Sequence, residues 1–279
     1  MVQSATVDSD ALRLGPSAIG RRWEREGECQ FCPPIHSVTD EIRSMLQNES
    51  ITEVSFKQWI STDRCSLETL TQRVDVIIPY LVQSLRNLRE HDFLAKEQSS
   101  FFKSRKQSLQ PGEVLANGDF AQNLKFHIQG EIPDYHWVND QVMIHTWVNY
   151  FKNSNEEVDH LSIVMISDYM KHDVASVYTF QKHNIKILRE RLPLLRRMTN
   201  MTDRAAGQYK NRHNFHNLCL HKLDFNVDAK WHFSATSHGK GACDGVGGNF
   251  KRAVYQASFQ RPTSDQITSM ESLMSSTQN

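Results

Sequence analysis

The chain has 279 residues, 32 basic and 32 acidic side chains, and a mean hydropathy of −0.55. This length allows one large domain or two small ones, and the zero net charge gives no argument for any partner. The first residues lack the apolar core of a signal peptide, and no run approaches the ~18 apolar residues of a membrane span. Five cysteines are too few for a disulfide framework. The sequence therefore predicts an intracellular protein with reduced thiols and no membrane partner.

The N-terminal part contains one metal-binding pattern. Residues 1–22 are rich in serine and are predicted as a disordered leader. Cys29 and Cys32 follow with the CxxC spacing that can bind one zinc ion, and His36 is a candidate third ligand. The remaining ligand would have to come from Cys65, from Cys219 or Cys243, or from residues missing at the N-terminus, and the alternative is two unrelated reduced thiols. The sequence thus offers half of a zinc site.

Residues 23–110 are predicted as a mostly helical N-terminal region. Residues 38–60 contain one helix and a short extended piece, and the alternating segment 54–63 fits either a strand or a linker. Residues 103–110 are polar and basic, which is typical of a linker between domains.

An amphipathic helix is predicted over residues 66–102. Apolar residues recur there in steps of three and four from Leu67 to Leu88. Pro79 is expected to kink this helix, because proline has no backbone N–H to donate. The apolar face would be buried against the following domain or would pair with a second protomer. A homo-oligomer is therefore one expectation.

From residue 111 the pattern changes to strands. Pro111-Gly112 is a turn signal, and the strand predicted after it, 114–118, ends at Asp119. Three more strands are predicted at 123–129, 141–151 and 161–166. Helices and strands then alternate: a helix at 174–192, a strand at 197–202, a helix at 211–223, a strand at 227–235 and a helix at 246–259. This order predicts an α/β domain with a mixed sheet over 111–261, and the Ser/Thr-rich residues 262–279 are predicted as a disordered tail.

Three acidic residues occupy positions where such sheets bind ligands. Asp119 and Asp203 lie at the carboxyl ends of predicted strands, and Asp244 opens the last helix. Carboxylates brought together repel one another, so bound cations are the natural compensation. Mg²⁺ and Mn²⁺ prefer oxygen ligands, and two such ions about 4 Å apart can promote displacement at a phosphate. The candidate site is therefore a two-metal site at these three residues.

Other polar residues near the acids have competing interpretations. Asp168, His172 and Asp173 compete for a role: Asp168 ends a strand and could bind metal, and the alternative is that Asp168 or Asp173 caps the next helix. His232 and His238 could touch metal-bound water or phosphate, or could form structural hydrogen bonds. The glycine-rich residues 238–248 could approach phosphates closely, although they lack the order of a P-loop.

Basic residues are concentrated near the proposed site, mainly from 182 to 212, where only Glu190 and Asp203 oppose them. A positive face of this kind is what binding to a phosphate backbone requires, and the alternative for 182–189 is an ordinary solvated helix face. The candidate nucleic-acid-binding residues are Arg204, Lys210, Arg212, Lys240, Lys251 and Arg252.

Five segments of the chain resemble a group of transposase-derived proteins of animal mobile elements. They are FKQWISTDR (56–64), GDFAQN (118–123), SIVMISDYMKHDVASVYTFQ (162–181), TDRAAGQYKNRHNFHNLC (202–219) and KWHFSATSHGKGACDGVGGNFKR (230–252). We place that group in the ribonuclease H-like DDE/DDD transposase superfamily. The resemblance implies a ribonuclease H-like sheet of five strands flanked by helices and a DDD-type polynucleotidyl transferase. It also implies a nuclear location, DNA as partner and Asp119, Asp203 and Asp244 as the catalytic, metal-binding acids.

The sequence also departs from that group. Arg204 stands where the group usually has glycine, Gln122 stands where it usually has an acid, and the chain stops soon after the last predicted helix. The function expected is metal-dependent DNA cleavage and strand transfer, in an intact, decayed or truncated copy. The alternatives are a catalytically inactive DNA-binding or interaction protein that keeps the fold, and a ribonuclease H-like nuclease without strand transfer.

Overall fold

The computed structural model of the chain describes residues 34–127, 140–234 and 241–276. It divides into two compact units, residues 1–97 and residues 98–279. The second unit begins before residue 111, where the sequence predicts a domain start. The reason is that Phe102 and Leu109 pack with Leu115 in the core of the sheet domain. The predicted leader, 1–22, lies outside the described residues.

The first unit contains a helix, a two-stranded sheet and the start of a long helix. These are α1 (Ile35–Asn48), β1 (Glu53–Ser61), β2 (Cys65–Arg73) and α2 (Val74–Gln107). The two strands pair antiparallel, from Glu53 opposite Arg73 to Ser61 opposite Cys65. In the alternating segment 54–63, which fits either a strand or a linker, residues 54–61 therefore belong to a strand.

The predicted helix over 66–102 is wrong for its first eight residues, which form β2. Leu67 faces Trp59 across the pair, and Leu70 faces Phe56. A few apolar residues three apart do not distinguish a helix from a strand, and here pairing with β1 decides. The helix continues through Pro79. Although α2 has 34 residues, no helix in the described part of the chain is long and apolar enough to cross a membrane.

The second unit is an α/β domain with a mixed five-stranded sheet. Its elements after α2 are β3 (Glu113–Lys125), β4 (Gln141–Lys152), β5 (Val158–Ser167), α3 (Val174–Arg191), β6 (Arg197–Thr202), α4 (Arg212–Phe225), β7 (Asp228–Phe233), α5 (Ala242–Phe259), a 3₁₀ turn (Thr263–Asp265) and α6 (Met270–Ser276). The strand order is β5-β4-β3-β6-β7. Strands β3, β4 and β5 run antiparallel, and β6 and β7 run parallel to β3. The predicted mixed sheet is confirmed.

The central strand, β3, differs from its prediction. Residues 113–125 form one strand along β4, with an irregularity between Ala121 and Leu124, instead of two strands at 114–118 and 123–129. Gly118 does not end the strand. A Cβ there would lie 2.5 Å from the ring of Trp147 on β4, so glycine is present to admit the tryptophan. Asp119 therefore lies inside a strand and not at its end.

Apolar side chains cover both faces of the sheet. One core cluster joins Val114 and Trp147 of the sheet to Leu188 of α3. The other joins Ile144 of the sheet to Val254 of α5 and to residues of the C-terminal segment.

The sequence predicts a disordered tail over 262–279, and the structure corrects this for most of its length. Residues 263–265 and 270–276 are helical. Ile267 and Leu273 are only 2% and 1% exposed, because they cover the sheet face beside α5. The segment is rich in serine and threonine, so its few apolar residues, such as Ile267 and Leu273, do not form a pattern that predicts a helix. Residues 277–279 lie outside the described part.

A buried ion pair fixes the start of β3. Glu113 has a side chain only 4% exposed, and its two oxygens accept hydrogen bonds from Arg105 of α2 at 2.9 Å and Arg197 of β6 at 2.8 Å. Burial alone would raise the pKa of Glu113, but the two arginines and the Gln110 backbone N–H outweigh it, and the pKa is lowered. The carboxylate therefore links the end of α2 to two strands.

We expect Glu113→Gln to lower the free energy of unfolding by about 2–3 kcal/mol, because the buried position loses its charge-assisted bonds to both arginines. Urea denaturation followed by circular dichroism measures this. The matched control is Lys222→Gln, which removes an exposed pair with Asp228 and should change stability by less than about 1 kcal/mol. Equal losses in both variants would contradict a structural role for the buried pair.

Candidate functional site

Parallel pairing of β3 with β6 brings Asp119 and Asp203 to neighbouring positions. The register runs from Glu113 opposite Arg197 to Asn117 opposite Met201. Asp119 and Asp203 each lie two residues beyond that last pair. Strand β6 ends at Thr202, whereas β3 continues along β4. The two acids therefore lie at the edge where the parallel part of the sheet stops.

Helix α5 brings the third acid to the same place. Cys243 in its first turn donates a hydrogen bond from Sγ to the backbone oxygen of Asn117 at 3.2 Å. One turn later, a Cβ at Gly247 would lie 3.0 Å from the Cβ of Ala121. The helix thus lies against β3 on both sides of Asp119. Asp244 follows Cys243, and its Oδ2 accepts a hydrogen bond from the N–H of Gly241 at 2.9 Å.

The charges of the three acids interact. Burial raises the pKa of Asp119 from its ordinary value of 3.8 to about 7, and the carboxylates of Asp203 and Asp244 add to that rise. Burial likewise raises the pKa of the Cys243 thiol to about 12, so the thiol stays protonated and can donate. The carboxyl groups of three acids that are distant in sequence therefore interact electrostatically in the folded chain.

The donor chemistry of this group fits Mg²⁺ or Mn²⁺, which prefer carboxylate oxygens. Asp203 accepts one hydrogen bond at Oδ1, from the N–H of Ala205 at 3.1 Å, and Asp244 accepts the one from Gly241. A carboxylate has two oxygens, so acceptor capacity remains at each. Across residues 34–127, 140–234 and 241–276, however, no three His, Cys, Asp or Glu side chains are grouped closely enough to hold a metal ion. The acids are near one another without forming a ready-made ligand set.

A buried aromatic cluster lies next to Asp119, and sequence reasoning missed it. Phe120 has its ring 4.6 Å from that of His145 and 4.5 Å from that of His172. His145 Nε2 and the Tyr209 hydroxyl are hydrogen-bonded at 3.0 Å. Burial, with a smaller contribution from His172, lowers the pKa of His145 to about 3, so this imidazole is neutral. A histidine within the apolar run 142–148 was the available signal, whereas nothing marked Tyr209.

Among the other candidate polar residues, Asp173 and His232 make structural contacts. The Asp173 carboxylate caps α3 by accepting from the N–H of Ser176 at 3.0 Å, which is one of the predicted alternatives. His172 is hydrogen-bonded to Asn123 at 3.0 Å, and the ring of His232 lies 4.7 Å from that of Phe101. Asp168 is exposed. His238 and most of the glycine-rich loop lie outside the described residues.

The candidate nucleic-acid-binding residues are mostly at the surface. Arg204 and Lys210 are exposed on the segment that joins β6 to α4, and Arg212 is exposed at the first position of α4. On α5, Arg252 is exposed and contacts Asn249, while burial lowers the pKa of Lys251. Lys240 lies outside the described residues.

Arg204 fits its position without strain. Glycine would be needed there if the backbone had positive φ. Among the described non-glycine residues only Ser50, Glu156 and Asn226 have positive φ. An arginine therefore follows Asp203 at no backbone penalty.

The candidate zinc ligands are not brought together within the described part of the chain. Cys29 and Cys32 lie outside it. His36 is an exposed residue in the first turn of α1. The zinc site stays a prediction.

Comparison with known protein families identifies two matching ranges. A family described as a domain of unknown function (DUF8701) matches residues 98–279, and a second so described (DUF8700) matches residues 25–89. The chain belongs to the DUF8701 family. Its match begins at Gln98, where the second compact unit begins, so the DUF8701 domain is the unit that carries the sheet and the three acids. No curated protein and no solved structure matches the chain.

Close packing of α5 on β3 can be tested at its glycines. We expect Gly247→Val to lower the free energy of unfolding by about 1–3 kcal/mol, because the added side chain would collide with Ala121. The matched control is Gly245→Ala, two residues earlier, where an added Cβ meets nothing within 4 Å. That variant should gain up to about 1 kcal/mol from helix propensity. Similar effects in the two variants, measured by urea denaturation, would contradict the packing.

The raised pKa of Asp119 predicts a pH dependence of stability. Between about pH 4 and pH 7 the folded chain keeps a proton on Asp119 that the unfolded chain has released. The free energy of unfolding therefore falls as the pH rises through this window. Asp119→Asn removes that loss, so the variant should match wild type near pH 4 and exceed it above pH 7. Thermal unfolding in EDTA measures the difference in stability between the variant and wild type. A difference that does not change with pH would contradict the raised pKa of Asp119.

Proposed function

We propose that this chain is a metal-dependent polynucleotidyl transferase core of transposase origin, which cleaves DNA phosphodiester bonds and transfers strands. The observation that carries this proposal is the electrostatic convergence of Asp119, Asp203 and Asp244. Burial and the other two carboxylates together raise the pKa of Asp119 to about 7. Unneutralised acids in one group are unfavourable, and a divalent cation is the compensation that phosphoryl chemistry uses.

The topology supports a ribonuclease H-like fold within this proposal. Three antiparallel strands are followed by two strands parallel to the first, in the order β5-β4-β3-β6-β7. One acid lies on the first strand of the sheet, the second follows the fourth strand, and the third lies on a later helix. The resemblance to transposase-derived proteins implies this same placement.

In the proposed mechanism, Asp119, Asp203 and Asp244 would hold Mg²⁺ or Mn²⁺. The bound ions would activate the attacking oxygen and stabilise the leaving oxygen at the scissile phosphate. Cys243 and Gly247 keep the first turns of α5 on β3, so that Asp244 stays beside Asp119.

Surrounding residues would prepare the site for a polyanion. Tyr209, which is fully buried and hydrogen-bonded to His145, lies close enough to Asp119 and Asp203 for their charges to raise its pKa further, although burial is the larger cause. Arg204, Lys210 and Arg212 would bind the phosphate backbone of the substrate. These contacts would position DNA without reading its sequence. The proposal places the protein in the nucleus, where its substrate is.

A second candidate is a catalytically inactive DNA-binding or interaction protein that keeps the same fold. Two observations favour it. Gln122, which the resemblance expects to be acidic, is exposed near Asp119. The described residues also contain no ready-made set of three metal ligands.

A plasmid-nicking assay tests catalysis. With Mn²⁺ and supercoiled plasmid, we expect Asp119→Asn to lower the nicking rate at least about 100-fold, because a metal-binding charge is lost while shape is kept. The matched control is Asp228→Asn, which changes an exposed aspartate that pairs with Arg197 at the end of β6 opposite Asp203 and should nick like wild type. Circular dichroism confirms that both variants fold.

Equal nicking by wild type and Asp119→Asn would show that the acid is not catalytic. Salt-sensitive binding to duplex DNA without any nicking would favour the inactive alternative. Faster cleavage of an RNA–DNA hybrid than of duplex DNA would favour a ribonuclease H-like nuclease without strand transfer.

A further inference from the structure

At the start of α4, beside the acids, we propose a stacking platform for an unpaired nucleobase. The Phe215 platform consists of Phe215, Phe233 and Lys210. This inference rests on the proposed function. It adds that the ligand of this surface is a single-stranded nucleic acid.

The platform has an aromatic face open to solvent. Phe215 is 39% exposed. Its ring stands edge-to-face on that of Phe233, with centroids 6.0 Å apart and an interplanar angle of 89°. Phe233 is half-buried and packs with Tyr209 and Trp231 in a core cluster. An exposed ring held by a fixed one presents a defined surface on which a base can stack.

Basic side chains lie beside this face. Lys210 places its Nζ 5.8 Å from the centre of the Phe233 ring, and Arg212, three residues before Phe215 on α4, is exposed. Between Asp203 and Asp224 the chain contains no acidic residue. Aromatic rings set among basic side chains are the combination that binds single strands, since the rings stack bases and the cations follow the phosphates.

Hydrogen bonds make the surface rigid before any ligand binds. Asn211 caps α4 by accepting from His213 and Asn214, and its own amide donates to the oxygen of Ala206 at 2.8 Å. Asn214 donates to the oxygen of Tyr209 at 2.8 Å. The turn that carries Lys210 is thereby fixed to the first turn of α4. A preformed surface avoids an ordering penalty on binding.

The sheet register places the platform next to the acids. Phe233 on β7 pairs with Thr202 on β6, and Asp203 is the next residue. A strand whose phosphate lies at the acids would therefore carry its neighbouring bases toward the platform. Bases within a duplex are already stacked and paired, so the occupant is an unpaired base near the reacting phosphate.

Binding of labelled oligonucleotides by the full chain tests the platform. The probes are ten thymidylates and an abasic strand of the same length, in EDTA at low salt, followed by fluorescence anisotropy. We expect wild type to prefer the thymidylate probe. Phe215→Ala should weaken thymidylate binding by about 5-fold to 100-fold and leave abasic binding unchanged, because only stacking is lost.

Two further variants separate stacking from general effects on the helix. Phe215→Trp keeps an aromatic face and should retain the preference. Leu220→Ala removes another apolar side chain of α4, 37% exposed, and should bind like wild type. For Phe215→Ala, the ratio of thymidylate binding to abasic binding is measured on the same protein sample. This ratio therefore stays informative even if the variant is less stable than wild type.

Several results would overturn the platform. These are equal binding of both probes by wild type, no binding of either, or a preference that survives in Phe215→Ala. Dimers in sedimentation that Phe215→Ala alone dissociates would show instead that this face joins two copies of the chain. Because EDTA prevents metal-dependent cleavage, a failure here is distinct from a failure of the nicking assay.

Discussion

The close approach of α5 to β3 is the constraint on which the proposed site depends. Gly247 leaves room for Ala121, and the Cys243 thiol donates to the backbone of Asn117. This contact holds Asp244 near two carboxylates that the sheet register has already brought together. The helix therefore keeps the three acidic side chains together, and burial, with a further contribution from the carboxylates of Asp203 and Asp244, raises the pKa of Asp119 to about 7.

Much of the sheet domain could be predicted from sequence, because its helices and later strands have clear periodicity and clear ends. Helix α3 and strand β6 begin and end within one residue of the predicted bounds. The predictions failed where tertiary contacts decide. Gly118 looks like a strand terminator until Trp147 is seen against it, and Leu67 looks helical until it is paired with Trp59. A prediction from periodicity considers only residues that are close along the chain, and it cannot include the contact of Gly118 with Trp147 or the pairing of Leu67 with Trp59.

For the site, sequence could supply the acids but not their surroundings. Asp203 follows directly after the predicted end of β6, whereas Asp119 lies inside β3, which continues past the predicted strand end, and α5 begins four residues earlier than predicted, so that Asp244 lies in its first turn. The pairing of His145 with Tyr209 and the stacking of Phe215 on Phe233 depend on residues that approach only through the fold. No spacing along the chain encodes such contacts.

The double ion pair of Glu113 has a practical consequence for expressing the sheet domain alone. A fragment designed to begin at residue 111 would lack Arg105 and Leu109, and would leave a buried anion with half its counter-charge beside an uncovered Leu115. Such a truncation would tend to aggregate through the bare apolar patch. A fragment that starts at Gln98 or earlier retains both residues and is the sounder choice for crystallisation.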